Sequence, residues 1–123
     1  GPWILTKYAW KYLSLSNSGR IIVLVSMSGK RSKGNLASYS MSKFALMSLC
    51  QTMRNEGWGK GIRVTAICPG WVNTDMAKEI KHFPKKDMTQ ANDIASICSN
   101  LLTLPNSSIP FEIALNCQLE TNI

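Results

Sequence analysis

The chain has 123 residues, 45% of them apolar and 17% charged, with 8 Gly, 5 Pro, 4 Cys and a formal charge of +7. This composition excludes a collagen-like repeat, a low-complexity tail and a disulfide-dense miniprotein, and the length suits one domain or a piece of one. No apolar run approaches the roughly 20 residues that span a bilayer, and the N-terminus lacks the basic start and small-residue cleavage site of a secretory signal; a soluble cytoplasmic protein with no membrane partner is expected.

Residues 3–13 are apolar on most sides, with Lys7 and Lys11 four apart, which predicts a largely buried helix exposing a narrow basic strip. A polar run over 14–19 breaks it. Arg20-Ile-Ile-Val-Leu-Val-Ser26 is then a β-branched run without alternation, expected in the interior of a parallel sheet. A Ser/Gly/Lys-rich loop at 28–35 leads to a predicted helix over 37–58, ended by Gly57, Gly59 and Gly61. Ile62-Arg-Val-Thr-Ala-Ile67 reads as a second strand, stopped by Cys68-Pro69-Gly70 because proline supplies no ladder amide. A basic, irregular stretch follows through Lys86. Thr89 is the expected cap of a helix reaching about Leu104, with Asp93 in its first turn and Pro105 beyond it; Phe111 to Asn116 supply a last strand.

Strands alternating with crossovers longer than ten residues imply parallel βαβ units, hence an α/β fold with three visible strands of a doubly wound parallel sheet and no internal linker; residues 1–123 form a single unit. The first strand carries no Lys, Pro or Gly within its apolar run to guard an open edge, and the chain starts at Gly1. A preceding portion with more strands is therefore expected.

Cys50, Cys68, Cys98 and Cys117 form no Cys-x-x-Cys pair, and His82 is the one imidazole, so no metal site is expected and all four thiols read as packing residues of a reducing compartment. Charge is uneven: residues 1–63 hold ten Lys/Arg and one acid, +9, while 64–123 hold four Lys and six acids, −2. The basic residues stand singly, apart from Lys30, Arg31 and Lys33, with no interleaved aromatics, which favours solvated surface charge over nucleic-acid binding.

In open parallel sheets ligands bind beyond the carboxyl ends of the strands, which directs attention to 26–29 and 68–74. Tyr39 and Lys43 are four apart, hence on one helix face, and that helix starts at the same end of the sheet. Bringing a phenol from its ordinary pKa near 10 to neutrality takes about 4 kcal/mol, roughly what one ammonium about 4 Å away supplies at an effective dielectric near 20. Ser26, closing the first strand, is placed to donate a hydrogen bond to a carbonyl oxygen that Tyr39 protonates. Taken singly, each of these residues has a bland reading: a snorkelling lysine beside a core aromatic, and a strand-end serine.

Arg20-Ile-Ile-Val-Leu-Val-Ser26, Tyr39-Ser-Met-Ser-Lys43 and Cys68-Pro-Gly-Trp-Val-Asn-Thr74 resemble, in order and spacing, the short-chain dehydrogenase/reductase family over almost the whole chain. The resemblance implies a Rossmann-type fold and hydride transfer between NAD or NADP and a small carbonyl or alcohol. It makes Tyr39 the general acid or base and also a cofactor contact, Lys43 its tuner and a ribose ligand, and Ser26 the residue orienting substrate. Pro69, Gly70, Val72 and Thr74 would line the nicotinamide pocket, and 75–87 would cover the substrate. The family's glycine-rich turn, its Asn-Asn-Ala-Gly segment and its additional catalytic asparagine have no counterpart here, so only the second half is matched, and poor cofactor binding with little or no turnover is expected from this chain alone. Cys68 stands where many members have Asn. The resemblance also implies a homo-oligomer through the helices at 3–13 and 37–58, with Trp3, Tyr8, Trp10, Phe44 and Met47 at the contact or else covering the sheet. A non-catalytic α/β association module is the alternative.

Overall fold

The computed structural model describes residues 1–32, 34–81, 83–118 and 120; Lys33 and His82, named above, lie outside them. Among the described residues, three helices, α1 (Pro2–Leu15), α2 (Ala37–Gly57) and α3 (Ala91–Thr103), accompany five strands, β1 (Arg20–Leu24), β2 (Arg63–Pro69), β3 (Val72–Asn73), β4 (Thr89–Gln90) and β5 (Glu112–Leu115). The main sheet has the order β1-β2-β5, parallel throughout, with Leu24 opposite Ile67 and Pro69 opposite Leu115.

Strand β2 is central and buried on both faces. Its side chains alternate between two cores, as the period of two requires. Val64, Ala66 and Cys68 pack with Met47, Cys50 and Met53 of α2, and Trp10 of α1 joins them. Ile67 packs on the other face with Ile94 and Leu101 of α3. Helices therefore cover both faces, the doubly wound arrangement expected.

Several expectations need correction. Helix α1 is not largely buried: none of its residues is fully enclosed, and Trp3 and Tyr8 are 62% and 76% exposed. Only its inner face, through Trp10, meets the core, so the apolar residues on most sides cannot all be covered. Strand β1 lies at one side of the described three-stranded sheet, with Leu24 55% exposed, an open side on which the further strands expected from sequence would pair. Strand β2 does not stop at Cys68 but runs through Pro69, because the next amide, that of Gly70, donates to the Leu115 carbonyl at 2.7 Å. The missing proline amide falls where the ladder can bypass it. Thr89 does not cap α3; it lies in β4, and Gln90 is the cap, its amide donating to Asp93 Oδ2 at 3.2 Å in a capping box. The stretch after β2 also carries the small parallel pair β3–β4.

Many basic residues of the first half are engaged within the fold. Arg20 donates to the Leu104 carbonyl at 2.8 Å and to Asn106 Oδ1 at 2.6 Å, and the Arg63 guanidinium lies 3.7 Å over the Trp58 ring. Lys30 pairs with Glu112. No helix among the described residues is long and apolar enough to cross a membrane.

Gly61 ends the α2 connection with φ +73°, and a Cβ there would overlap the Asn17 carbonyl oxygen. Gly61→Ala should lower the unfolding free energy by at least about 1 kcal/mol, whereas Gly59→Ala, which meets open space, should change it by less than about 1 kcal/mol; urea unfolding reads both.

Burial pushes the Cys50 thiol from 9.0 up to about 11. The folded state thus keeps its proton where the unfolded state releases it, so this contribution is full below about pH 9 and is lost as pH rises toward 11. The stability advantage of the native chain over Cys50→Ala should narrow across that window in urea titrations; a constant difference would contradict the burial of Cys50.

Candidate functional site

The carboxyl ends of β1 and β2 and the start of α2 meet at one end of the sheet. The Val25 amide extends the β1–β2 pairing to the Ile67 carbonyl at 2.8 Å. The next residue, Ser26, turns sharply with φ +149° and ψ +157°, a region nearly restricted to glycine and costing about 1–3 kcal/mol. That conformation is fixed locally: Ser26 Oγ accepts from the Ser28 amide at 3.0 Å, and its carbonyl accepts from the Gly29 amide at 3.0 Å.

The turn at Met27–Gly29 lies directly against α2, where a Cβ on Gly29 would stand 2.9 Å from the Lys43 carbonyl oxygen. Glycine at 29 is what lets the strand end and the helix approach. Lys43 Nζ donates to the Leu24 carbonyl at 3.4 Å and stands 5.7 Å from the centre of the half-buried Tyr39 ring. The i, i+4 spacing thus places phenol and ammonium together and anchors the ammonium two residues before Ser26.

Beneath them, Cys68 is fully enclosed. Burial pushes its thiol up, and the Ser26 amide with the Lys30 and Lys43 ammoniums pulls it partly back while Glu112 opposes them. A thiol so held stays protonated at neutral pH, which suits a packing group rather than a nucleophile.

Pro69 and Gly70 close β2 at this same end. Val72 turns its side chain into the α3-side core, and the bond opening the β3–β4 pairing runs from the Thr89 amide to the Trp71 carbonyl at 3.1 Å, so it does not draw on Val72's main-chain groups. Thr74 is exposed, with no capping bond from its hydroxyl. A groove of about 370 Å³ lined by Lys30, Phe44, Met47, Gln51 and Glu112 lies on the α2–β5 side and includes none of Ser26, Tyr39 and Lys43. Residues 75–87 contain short 3₁₀ turns at Asp75–Ala77 and Lys85–Asp87.

Two participants were not anticipated from sequence. Ser40, beside Tyr39, is buried with a hydroxyl that finds no hydrogen-bond partner among the described residues. Glu120 Oε2 accepts from the Trp71 amide at 3.0 Å. A contact across 49 positions carries no local signal, and a serine in a helical repeat looks like any surface residue.

Residues 1–85 match the family model of the short chain dehydrogenases. The chain is 34% identical to an agropine synthesis reductase of Rhizobium rhizogenes, over 98% of this chain and 28% of that protein. It is 35% identical to a dehydrogenase/reductase SDR family protein 7-like of Dictyostelium discoideum, over 80% of this chain and 31% of that protein. Among solved structures, a betaketoacyl-[ACP] reductase from Bacteroides thetaiotaomicron superposes with a TM-score of 0.79 at 30% identity, covering 95% of this chain and 48% of the other. A 4-hydroxyisoleucine dehydrogenase complexed with NADH gives 0.82 at 25% identity, covering 94% and 53%. The chain thus spans about half the length of these structures and under a third of these two relatives. With the family model matched over more than half its length and a Rossmann-type arrangement of strands and helices, the chain belongs to the short-chain dehydrogenase/reductase family of oxidoreductases.

Proposed function

We propose that this chain carries the proton-transfer half of an NAD(P)-dependent oxidoreductase acting on a small carbonyl or alcohol. Tyr39 donates its phenolic proton to the carbonyl oxygen in reduction and takes the hydroxyl proton in oxidation. Lys43 favours the phenolate that reduction leaves behind, because a nearby ammonium stabilises an oxyanion over a neutral phenol. Ser26 donates a hydrogen bond to the same substrate oxygen and fixes its direction.

The residues present fit a nicotinamide. Val72 main-chain groups and the Thr74 hydroxyl suit a carboxamide, Pro69 and Gly70 would form the adjoining wall, and Lys43 would reach a ribose hydroxyl. Bound nicotinamide supplies the hydride in reduction and takes it up in oxidation. NAD and NADP are equally compatible with these residues, and residues 75–87 would cover the substrate. Self-association would use the outer faces of α1 and α2, where Trp3, Tyr8 and Phe44 are exposed; Trp10 and Met47 pack inward instead.

The observation that carries this reading is the Lys43 ammonium, bonded to the Leu24 carbonyl, lying over the Tyr39 ring and two residues from the strained Ser26. In the gene product carrying this sequence, Tyr39→Phe should lower kcat for aldehyde or ketone reduction with NADH or NADPH by about 100-fold or more with little change in cofactor KM. Retention of kcat in a folded Tyr39→Phe protein would remove Tyr39 from the chemistry.

A further inference from the structure

The turn at residues 69–71 joins two sheets. Pro69 belongs to the main sheet, opposite Leu115, and Val72 to the small one, opposite Thr89. Gly70 donates to the Leu115 carbonyl and the Trp71 carbonyl accepts from Thr89, which leaves the Trp71 amide at the joint with no strand to receive it. Glu120 does so. Its Oε2 accepts from the Trp71 amide at 3.0 Å and from the Cys117 amide at 3.3 Å, and the Arg31 guanidinium stands 3.8 Å from Oε1.

The Glu120 side chain retains only 8% exposure. A carboxylate withdrawn from water to that degree needs compensation, and hydrogen bonds to an ionised acceptor are roughly twice as strong as neutral ones. The space comes from position 70: a Cβ there would overlap Oε2, so glycine alone admits the carboxylate. The backbone ties Glu120 down as well, since its amide donates to the Cys117 carbonyl at 3.0 Å and Asn116 Nδ2 donates to its carbonyl at 3.3 Å.

We propose that Glu120 is a positioning residue. Its carboxylate is a built-in ligand for the Trp71 and Cys117 amides and holds the 69–71 turn, with Val72 and Thr74 following, in the form that receives a nicotinamide. The role in cofactor binding rests on the function proposed above; the fastening of the turn does not. Glutamine retains an oxygen acceptor at the same reach, whereas alanine removes it and opens a cradle that free acetate fits.

Amide hydrogen exchange at Trp71 and Cys117, read by NMR with Ala66 of β2 as a control for the intact sheet, tests this in the native chain, Glu120→Gln, Glu120→Ala and Gly70→Ala. Glu120→Ala should accelerate exchange at both amides about tenfold or more, Glu120→Gln by less than about threefold, and sodium acetate should restore protection in Glu120→Ala where sodium chloride of equal ionic strength does not. Gly70→Ala, which evicts the carboxylate without removing it, should reproduce the acceleration and decides the matter if Glu120→Ala fails to fold. Unchanged exchange at Trp71 with Ala66 still protected, or no rescue by acetate, overturns the fastening.

In parallel, in the gene product carrying this sequence, the dissociation constants of NADH and NADPH, followed by nicotinamide fluorescence, should rise about tenfold in Glu120→Ala and recover with acetate. Equal binding in that native protein and its Glu120→Ala variant, with faster exchange, overturns the positioning role. Absence of binding in that native protein overturns the nicotinamide reading and leaves the exchange result to stand by itself.

Discussion

Strand β2 is paired in parallel with β1 on one side and β5 on the other, and its side chains feed a core on each face. Parallel pairing puts the carboxyl ends of all three strands at one end of the sheet, and each crossover helix must start there before returning along the sheet. The beginning of α2, and with it Tyr39 and Lys43, is consequently delivered beside the end of β1. Loss of this register would separate the phenol and ammonium from Ser26 without altering any of the three residues. Burial of Val64, Ala66, Ile67 and Cys68 on alternate faces makes a one-residue slip costly, because every side chain would exchange its core for the opposite one.

Within that frame, short-range contacts refine the placement. Gly29 admits the Met27–Gly29 turn against α2, and Lys43 donates back to Leu24. Ser26 is held in a backbone region that glycine ordinarily occupies. Conformational strain at a strand end persists only where its surroundings over-determine it, and here the Ser28, Gly29 and Val25 bonds do so. Cys68, at a position where the family often has Asn, packs beneath this arrangement as a fully buried core residue.

The sequence was most legible where burial and periodicity coincide. The β-branched runs located β1 and β2 to within two residues at each end, and the glycines at 57 and 61 marked where α2 and the turn after it end, the positive φ at Gly61 demanding one. Spacing placed Tyr39 and Lys43 on one face, as the structure has them. What failed was sidedness: α1 is rich in Trp, Tyr and Leu, yet only its Trp10 face meets the sheet. Boundaries set by alternatives of similar energy also moved, with Gln90 taking the capping role from Thr89 and the ladder bypassing Pro69. The Glu120 contact to Trp71 was illegible in principle, since it depends on two chain segments meeting only after the sheet has formed.

Chemical-shift mapping of NADPH or NADH on the isotopically labelled gene product carrying this sequence is the most direct measure of whether the three side chains and the turn form one site. Saturable shifts concentrated at Ser26, Tyr39, Lys43, Val72 and Thr74, all at the carboxyl end of the sheet, are the predicted result. Shifts confined to the opposite end, around Arg20 and Arg63, or no saturable shift at all, would contradict it.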